Sequence, residues 1–108
     1  MNPARGEVWQ FDLGMAAKVR PVLVVSVPYT DSDRALITIV PHSTSLRGSQ
    51  FEVPVHVSFL KPGAFLVQNV ATYPNVRAMR KLGTLRTSEF QLVFEALLRW
   101  LGQETSAR

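Results

Sequence analysis

Arg34-Ala-Leu-Ile-Thr-Ile-Val-Pro-His-Ser-Thr-Ser45 reads as a strand that ends in a polar cluster. Residues 35–40 alternate and are rich in β-branched side chains, which suit a half-buried pleated surface. Proline has no N–H to give a ladder, so Pro41 marks the strand's end. His42, Ser43, Thr44 and Ser45 then form a turn whose hydroxyls can bond the backbone. Outward from this stretch the same period recurs. Residues 7–13 set Val8, Gln10 and Asp12 against Trp9, Phe11 and Leu13 and form a first strand. Residues 21–27 are almost continuously apolar, so the second strand is expected to be buried on both faces. Residues 51–57 make a fourth strand, with Pro54 at an edge or a bulge. Residues 64–70 follow the turn Lys61-Pro-Gly63 as a fifth, and residues 79–85 add a short sixth. Strands without βαβ alternation, closed by one helix, predict a mainly β protein with a C-terminal helix: a small, strongly bent antiparallel barrel of five to six strands.

The helix is predicted over residues 88–101, from the capping-box spacing of Ser88 and Gln91 to a stop at Gly102. At 100° per residue its apolar side chains, from Phe90 to Leu101, cover an arc of roughly 200°. A surface helix needs only about half of that. The barrel is expected to cover one side and a second copy of the chain the other, unless the helix is sunk in its own domain.

With 108 residues, 46% of them hydrophobic, the chain is read as one domain spanning residues 1–108, with the first few residues and the tail 103–108 loose. The absence of cysteine excludes disulfides, thiolate metal sites and a cysteine nucleophile. No apolar run reaches the roughly 18 residues that span a bilayer, and the first residues lack a signal-peptide pattern. A cytoplasmic protein without membrane contact is expected. Twelve Lys and Arg against eight Asp and Glu leave a net charge of +4. No acid occurs between Glu52 and Glu89, where Lys61, Arg77, Arg80, Lys81 and Arg86 lie. That one-signed interval suits phosphates, and equally a solvated basic surface.

Two histidines and scattered acids offer no metal-ligand spacing, so no metal is expected. There is no GxGxxG, no Walker loop and no GxSxG elbow, so no nucleotide cofactor is expected either. The remaining candidates lie beside strand ends. Arg20 is held extended by Pro21 and can grip a phosphate bidentately, or else cover a strand end and pair with Asp12 or Glu7. Gln68 and Asn69 interrupt an apolar strand, and buried amides must be hydrogen-bonded, either for packing or for a ligand. Trp9 and Phe11 are base-stacking candidates and equally core candidates.

Three stretches together resemble the MazF/PemK family of toxin endoribonucleases: Arg5-Gly-Glu-Val-Trp-Gln-Phe-Asp-Leu13, Arg20-Pro-Val-Leu-Val-Val25, and Val40-Pro-His-Ser-Thr-Ser45 running on through Arg47-Gly to Phe51-Glu-Val53. The resemblance extends from Arg5 to Gly102. It implies an SH3-like barrel of the type shared with CcdB gyrase poisons, a homodimer, metal-independent cleavage of single-stranded RNA, and a MazE-like antitoxin. Carried over by motif, the catalytic residues are Arg20 and either Ser43 or Thr44. His42 is a candidate for proton transfer by its chemistry alone. Trp9, Lys18, Arg47, Gln68, Asn69, Arg77, Arg80 and Lys81 are the candidate RNA-binding residues. The loop 14–19 lacks the acidic, Gly-rich stretch common in the family, and Gln68 stands about where some relatives carry an Asp. Two other readings remain: a non-catalytic SH3-like module binding RNA or peptide, and a CcdB-like gyrase poison, which the ending Arg99-Trp-Leu-Gly102 faintly resembles.

Overall fold

The computed structural model describes residues 2–14 and 18–104. The described strands are β1 (Glu7–Asp12), β2 (Val19–Val24), β3 (Leu36–Ser43), β4 (Glu52–Pro54), β5 (Ala64–Leu66), β6 (Ala71–Pro74) and β7 (Ala78–Thr84), followed by helix α1 (Thr87–Trp100). Every pairing is antiparallel along the path β4-β5-β3-β2-β1-β7, and β6 also lies on β3. The class is the expected one, mainly β with a C-terminal helix. There are seven strands instead of five or six, and the barrel is not closed by a ladder, because β4 and β7 end the path without pairing.

β3 organises the sheet. One edge pairs with β2, from Val24↔Ile39 to Val22↔Pro41. The other edge pairs first with β6, from Leu36↔Pro74 to Ile39↔Ala71, and then with β5 through His42↔Phe65 and Ser43↔Ala64. The expected stop at Pro41 does not occur. Pro41 falls where the neighbouring segment turns away from β3, so that edge needs no donor from it, and the strand runs on to Ser43. The hydroxyl turn accordingly begins later than its sequence suggests.

The expected strand over residues 64–70 is two strands separated by a 3₁₀ turn, Val67–Asn69. Val67 drops fully into the core, and the Val70 N–H closes the turn on its carbonyl at 3.2 Å. Gln68 and Asn69 are thereby pushed outward and are exposed, not buried. The fourth strand shrinks to three residues at the sheet edge, where Pro54 is tolerated, and His56 lies exposed beyond it.

β2 is buried on both faces only over Val22–Val24; Val19 and Arg20 at its start are exposed, and the expected strand over 21–27 ends at Val24, leaving Val27 70% exposed. Val22 and Val24 join Trp9, Phe11, Ile37 and Ile39 on one side. Leu23 and Val25 join Val8, Val40, Phe65, Val67 and the helix residues Val93, Ala96 and Leu97 on the other. The helix starts one residue early, and its box is built by a different pair: Glu89, not Gln91, reaches back to accept the Arg86 N–H at 2.8 Å. Arg5 lays its guanidinium 4.6 Å from the ring centres of both Phe90 and Phe94, which ties the opening of the chain to the helix. Met1 lies outside the described residues, but the residues that follow it are tied down. Asn2 Oδ1 accepts from Asn75 at 2.9 Å, and the Ala4 N–H donates to Glu7 at 2.8 Å. At the other end the Gln103 N–H still bonds the Leu98 carbonyl at 2.9 Å. Residues 105–108 of the expected tail, and residues 15–17 of the loop 14–19, lie outside the described residues. No helix among the described residues is long and apolar enough to cross a membrane.

Candidate active site

Pairing in the sheet assembles the site as a cross-strand row. Gln10 of β1 stands opposite Pro21 of β2 and Arg80 of β7. Continuing the β2–β3 register one residue past Val22↔Pro41 brings Pro21 level with His42, which pairs with Phe65. Two residues along each strand, on the same face, are the core residues Val8, Leu23 and Val40. The row therefore continues the helix-covered face of the sheet and borders a cleft of about 370 Å³. Arg20, Thr44, Lys61 and Arg80 line it, with Gln10, His42 and Ser43. Phe59, Leu60 and Leu82 supply its apolar wall. The Phe59 ring lies directly on Gly83, where any Cβ would meet it at 2.5 Å.

Arg20, Lys61 and Arg80 are all exposed, and no described residue lining the cleft is acidic. A lining with three cations and no acidic described residue makes the cleft a place suited to phosphate. The two candidate hydroxyls are not equivalent. Ser43 is 7% exposed, and its Oγ accepts the Ser45 N–H at 3.0 Å. Thr44 is exposed at the cleft. His42 is 3% exposed and sets its ring edge-to-face on Phe65 with centres 5.1 Å apart. Its Nε2 is buried and has no hydrogen-bond partner. Burial pulls its pKa below the ordinary histidine value, so the neutral ring is favoured. A Cβ on Gly63 would run into the Ser43 carbonyl and come within 2.8 Å of the His42 ring, so the chain needs glycine there for space.

A second hollow, of about 270 Å³, adjoins the first through the backbone from Thr44 to Ser45 and is lined by Arg47, Gln68 and Asn69 with Ser45, Ser49, Phe51, Glu52 and Leu66. Glu52 builds its rim. Its carboxylate accepts the N–H groups of Arg47, Gly48 and Ser49 at 2.9, 2.7 and 2.9 Å. The Arg47 N–H first, with the Ser49 and Gly48 N–H groups and the Arg47 charge, holds the Glu52 carboxyl below the usual range against its partial burial.

Other candidates lie elsewhere. Trp9 is 3% exposed in the core, with its indole N–H on Glu7 at 2.9 Å, so a base cannot stack on it. Lys81 pairs with Glu7 at 3.0 Å. Arg77 donates to the Asp12 carbonyl at 3.2 Å and lies over the Tyr73 ring at 5.5 Å, away from both hollows. Lys18 closes the loop after β1, its N–H bonding Gly14 at 3.1 Å and its carbonyl accepting from Leu13 at 2.8 Å. Gln10 and Phe59 belong to the cleft and had no sequence signal beyond a polar position in an alternating strand and an aromatic after an edge strand.

Comparison with known proteins matches this arrangement to one family. Residues 4–101 fit the model of PemK-like, MazF-like toxins of type II toxin–antitoxin systems. A search of curated proteins finds no match. Among solved structures, an endoribonuclease bound to its cognate antitoxin, from a mycobacterial species, superposes with a TM-score of 0.82 at 25% identity over 96% of this chain and 99% of the other. A MazF toxin of Mycobacterium tuberculosis gives 0.76 at 26% identity over 92% and 99%. A MazE–MazF complex from Deinococcus radiodurans gives 0.80 at 21% identity over 96% and 99%, a likeness of fold. Matched over nearly its whole length and built on the same fold, the chain belongs to the PemK-like, MazF-like toxins of type II toxin–antitoxin systems.

Proposed function

We propose that the chain is an endoribonuclease that cleaves single-stranded RNA at short sequences without a metal, and that an antitoxin neutralises it. The observation that carries this reading is the cleft: Arg20, Lys61 and Arg80 line it together with the exposed Thr44, and none of its described lining residues is acidic. RNA brings its own nucleophile. The 2′-oxygen attacks the adjacent phosphorus, the bond to the 5′-oxygen breaks, and the products are a 2′,3′-cyclic phosphate and a 5′-hydroxyl. The protein has to align the attack and stabilise charge on the phosphorane oxygens. Arg20 faces that charge with a fork of donors, and Thr44 holds a non-bridging oxygen or the 2′-hydroxyl. Ser43 serves the turn that presents Thr44. With its Nε2 buried, His42 can meet the cleft only through its other ring nitrogen, and the proton transfers are read as passing through water in the open cleft. Lys61 and Arg80 grip neighbouring phosphates. A MazE-like antitoxin with an acidic segment would occupy the same cationic surface; the similar mycobacterial endoribonuclease is found in complex with its cognate antitoxin. The active unit is read as a homodimer, because Leu92 and Trp100 of α1 and Leu101 just beyond it remain 55%, 41% and 64% exposed.

The test is to incubate wild type and Arg20→Ala with a long mixed-sequence RNA in excess EDTA and map every product end. Discrete cuts by the wild type with 5′-hydroxyl and cyclic phosphate ends, slowed about 100-fold or more in a folded Arg20→Ala protein, are expected. RNA left intact by the wild type would refute the reading. Unchanged turnover in the variant would remove Arg20 from it.

A further inference from the structure

Among the described residues two cations are half-buried, Arg5 and Arg77. Arg77 is answered by the Asp12 carbonyl. Arg5 has no hydrogen bond or ion pair with any described residue. An exposed arginine in that state is hydrated. Arg5 is not hydrated all round: its Nε is closed off from solvent, and its guanidinium face lies over Phe90 and Phe94, whose rings stack 5.6 Å apart. The rings take the face of the fork and hold its plane, so the remaining in-plane N–H groups stay available to a ligand. A cation that has lost part of its water attracts an anion more strongly than a hydrated one, because less water screens the pair. The acids nearest to these residues in the chain are engaged: Glu7 with Lys81, Glu89 with Arg86 and Glu95 with Gln91.

Arg5 borders two further hollows, and neither has an acidic residue among its described lining. In the smaller, of about 120 Å³, the polar groups are spent: Asn2 and Tyr29 bond each other at 3.2 Å, and Ser26 Oγ accepts the Thr38 N–H at 3.0 Å. The larger, of about 450 Å³, is bordered by Thr84 and Thr87, whose hydroxyls bond to no described residue. We propose that this larger hollow binds a phosphate group, with the Arg5 fork as its main contact and the Thr84 and Thr87 hydroxyls beside it. A tetrahedral oxyanion has acceptors enough for the fork and the hydroxyls together. Thr84 follows Leu82, which lines the active-site cleft, by two residues on β7, a step of about 7 Å along one face of the strand. The phosphate has two sources: an RNA strand that runs on from the cleft, or a free phosphate. The site stands independently of the ribonuclease reading.

The test is a titration followed by nuclear magnetic resonance at the Arg5 Nε–H and at the amides of Gly6, Thr84 and Thr87. Two probes are added separately, inorganic phosphate and an uncleavable 2′-O-methylated RNA, each against chloride at matched ionic strength. Saturable shifts beyond those of chloride are expected. In Arg5→Leu, which keeps an apolar cover on the two rings, the affinity should be about ten- to a hundredfold weaker. Thr87→Val, on the exposed rim, serves if Arg5→Leu does not fold, and its affinity should fall about two- to tenfold. RNA that moves these signals together with those of Thr44 and Lys61, at concentrations where inorganic phosphate has no effect, assigns the site to the strand's own phosphate. RNA that moves only Thr44 and Lys61, while inorganic phosphate moves the hollow, assigns it to a free phosphate. No saturable shift from either probe, or an affinity unchanged in the folded variants, would overturn the proposal.

Discussion

Ser43 and Thr44 are chain neighbours with opposite fates. A strand points successive side chains to opposite faces, and β3 ends between them. Ser43 turns its hydroxyl to the backbone of its own turn, so Ser43→Ala should cost about 1 kcal/mol in stability and leave cleavage within a few-fold. Thr44→Val keeps the shape and removes the hydroxyl that faces the cleft. Its kcat/KM should fall about 100-fold with an unchanged melting temperature. Comparable losses in both variants would show that the two hydroxyls act together. His42 offers a pH test. Its pKa in the fold lies below the ordinary 6.5 because of burial, so the unfolded chain takes up the proton first as the pH falls. Stability attached to His42 is present above the ordinary value and is lost as the pH drops below it toward the folded value. Arg20, Lys61 and Arg80 lie around the same cleft without a carboxylate to favour the imidazolium. His42→Leu should therefore lose less melting temperature than wild type between about pH 8 and about pH 5, as followed by thermal melts.

Among elements, the contact that matters most to the site is β3 against β5. It is two pairs long, His42↔Phe65 and Ser43↔Ala64, and Gly63 lies at its end where a side chain has no room. The added methyl of Gly63→Ala must displace the Ser43 carbonyl or the His42 ring. It should destabilise the fold by about 1–3 kcal/mol, seen as a lower denaturant midpoint with an unchanged slope. Because the displaced segment carries Thr44, turnover should fall as well, whereas Gly48→Ala, in a loop with open space around it but a φ of 82°, should strain the backbone without touching the cleft. The second hollow would not form from an uninterrupted fifth strand. The 3₁₀ turn at Val67–Asn69 both releases the β3 edge at Pro41 and turns two amides outward.

For the whole molecule, the cover on α1 and the spread of charge are the open quantities. The sheet buries Val93, Ala96 and Leu97, a narrow stripe compared with the apolar arc that the helix carries. A sedimentation mass of two chains at micromolar concentration is expected, and a mass of one chain would mean that the exposed Leu92, Trp100 and Leu101 serve another partner. RNA binding should weaken steeply with added salt, because Arg20, Lys61, Arg80 and Arg47 face the two hollows. A flat salt dependence would remove the phosphate contacts.

From the residues alone the alternation of 7–13, the apolar run 21–27 and the polar stop at Gly102 already determine a β protein closed by a helix, since those patterns are local and each has one periodicity that buries it. The neighbourhood of Arg20 and the 42–45 cluster was legible too, because both stand at strand ends. Tertiary structure decided the rest. The acid-free run from 53 to 88 looks like one basic surface, yet folding sends Lys61 and Arg80 to the cleft, Arg77 to Tyr73 and Asp12, Lys81 to Glu7, and Arg86 to Glu89. Charge along a chain says nothing about register, and register is what chooses each partner. Trp9 went to the core for the same reason, since the face of β1 that it shares with Phe11 packs on Val22 and Val24. That Ser43 is buried and Thr44 exposed, although they are adjacent and chemically alike, follows from where β3 ends against its partners β2 and β5.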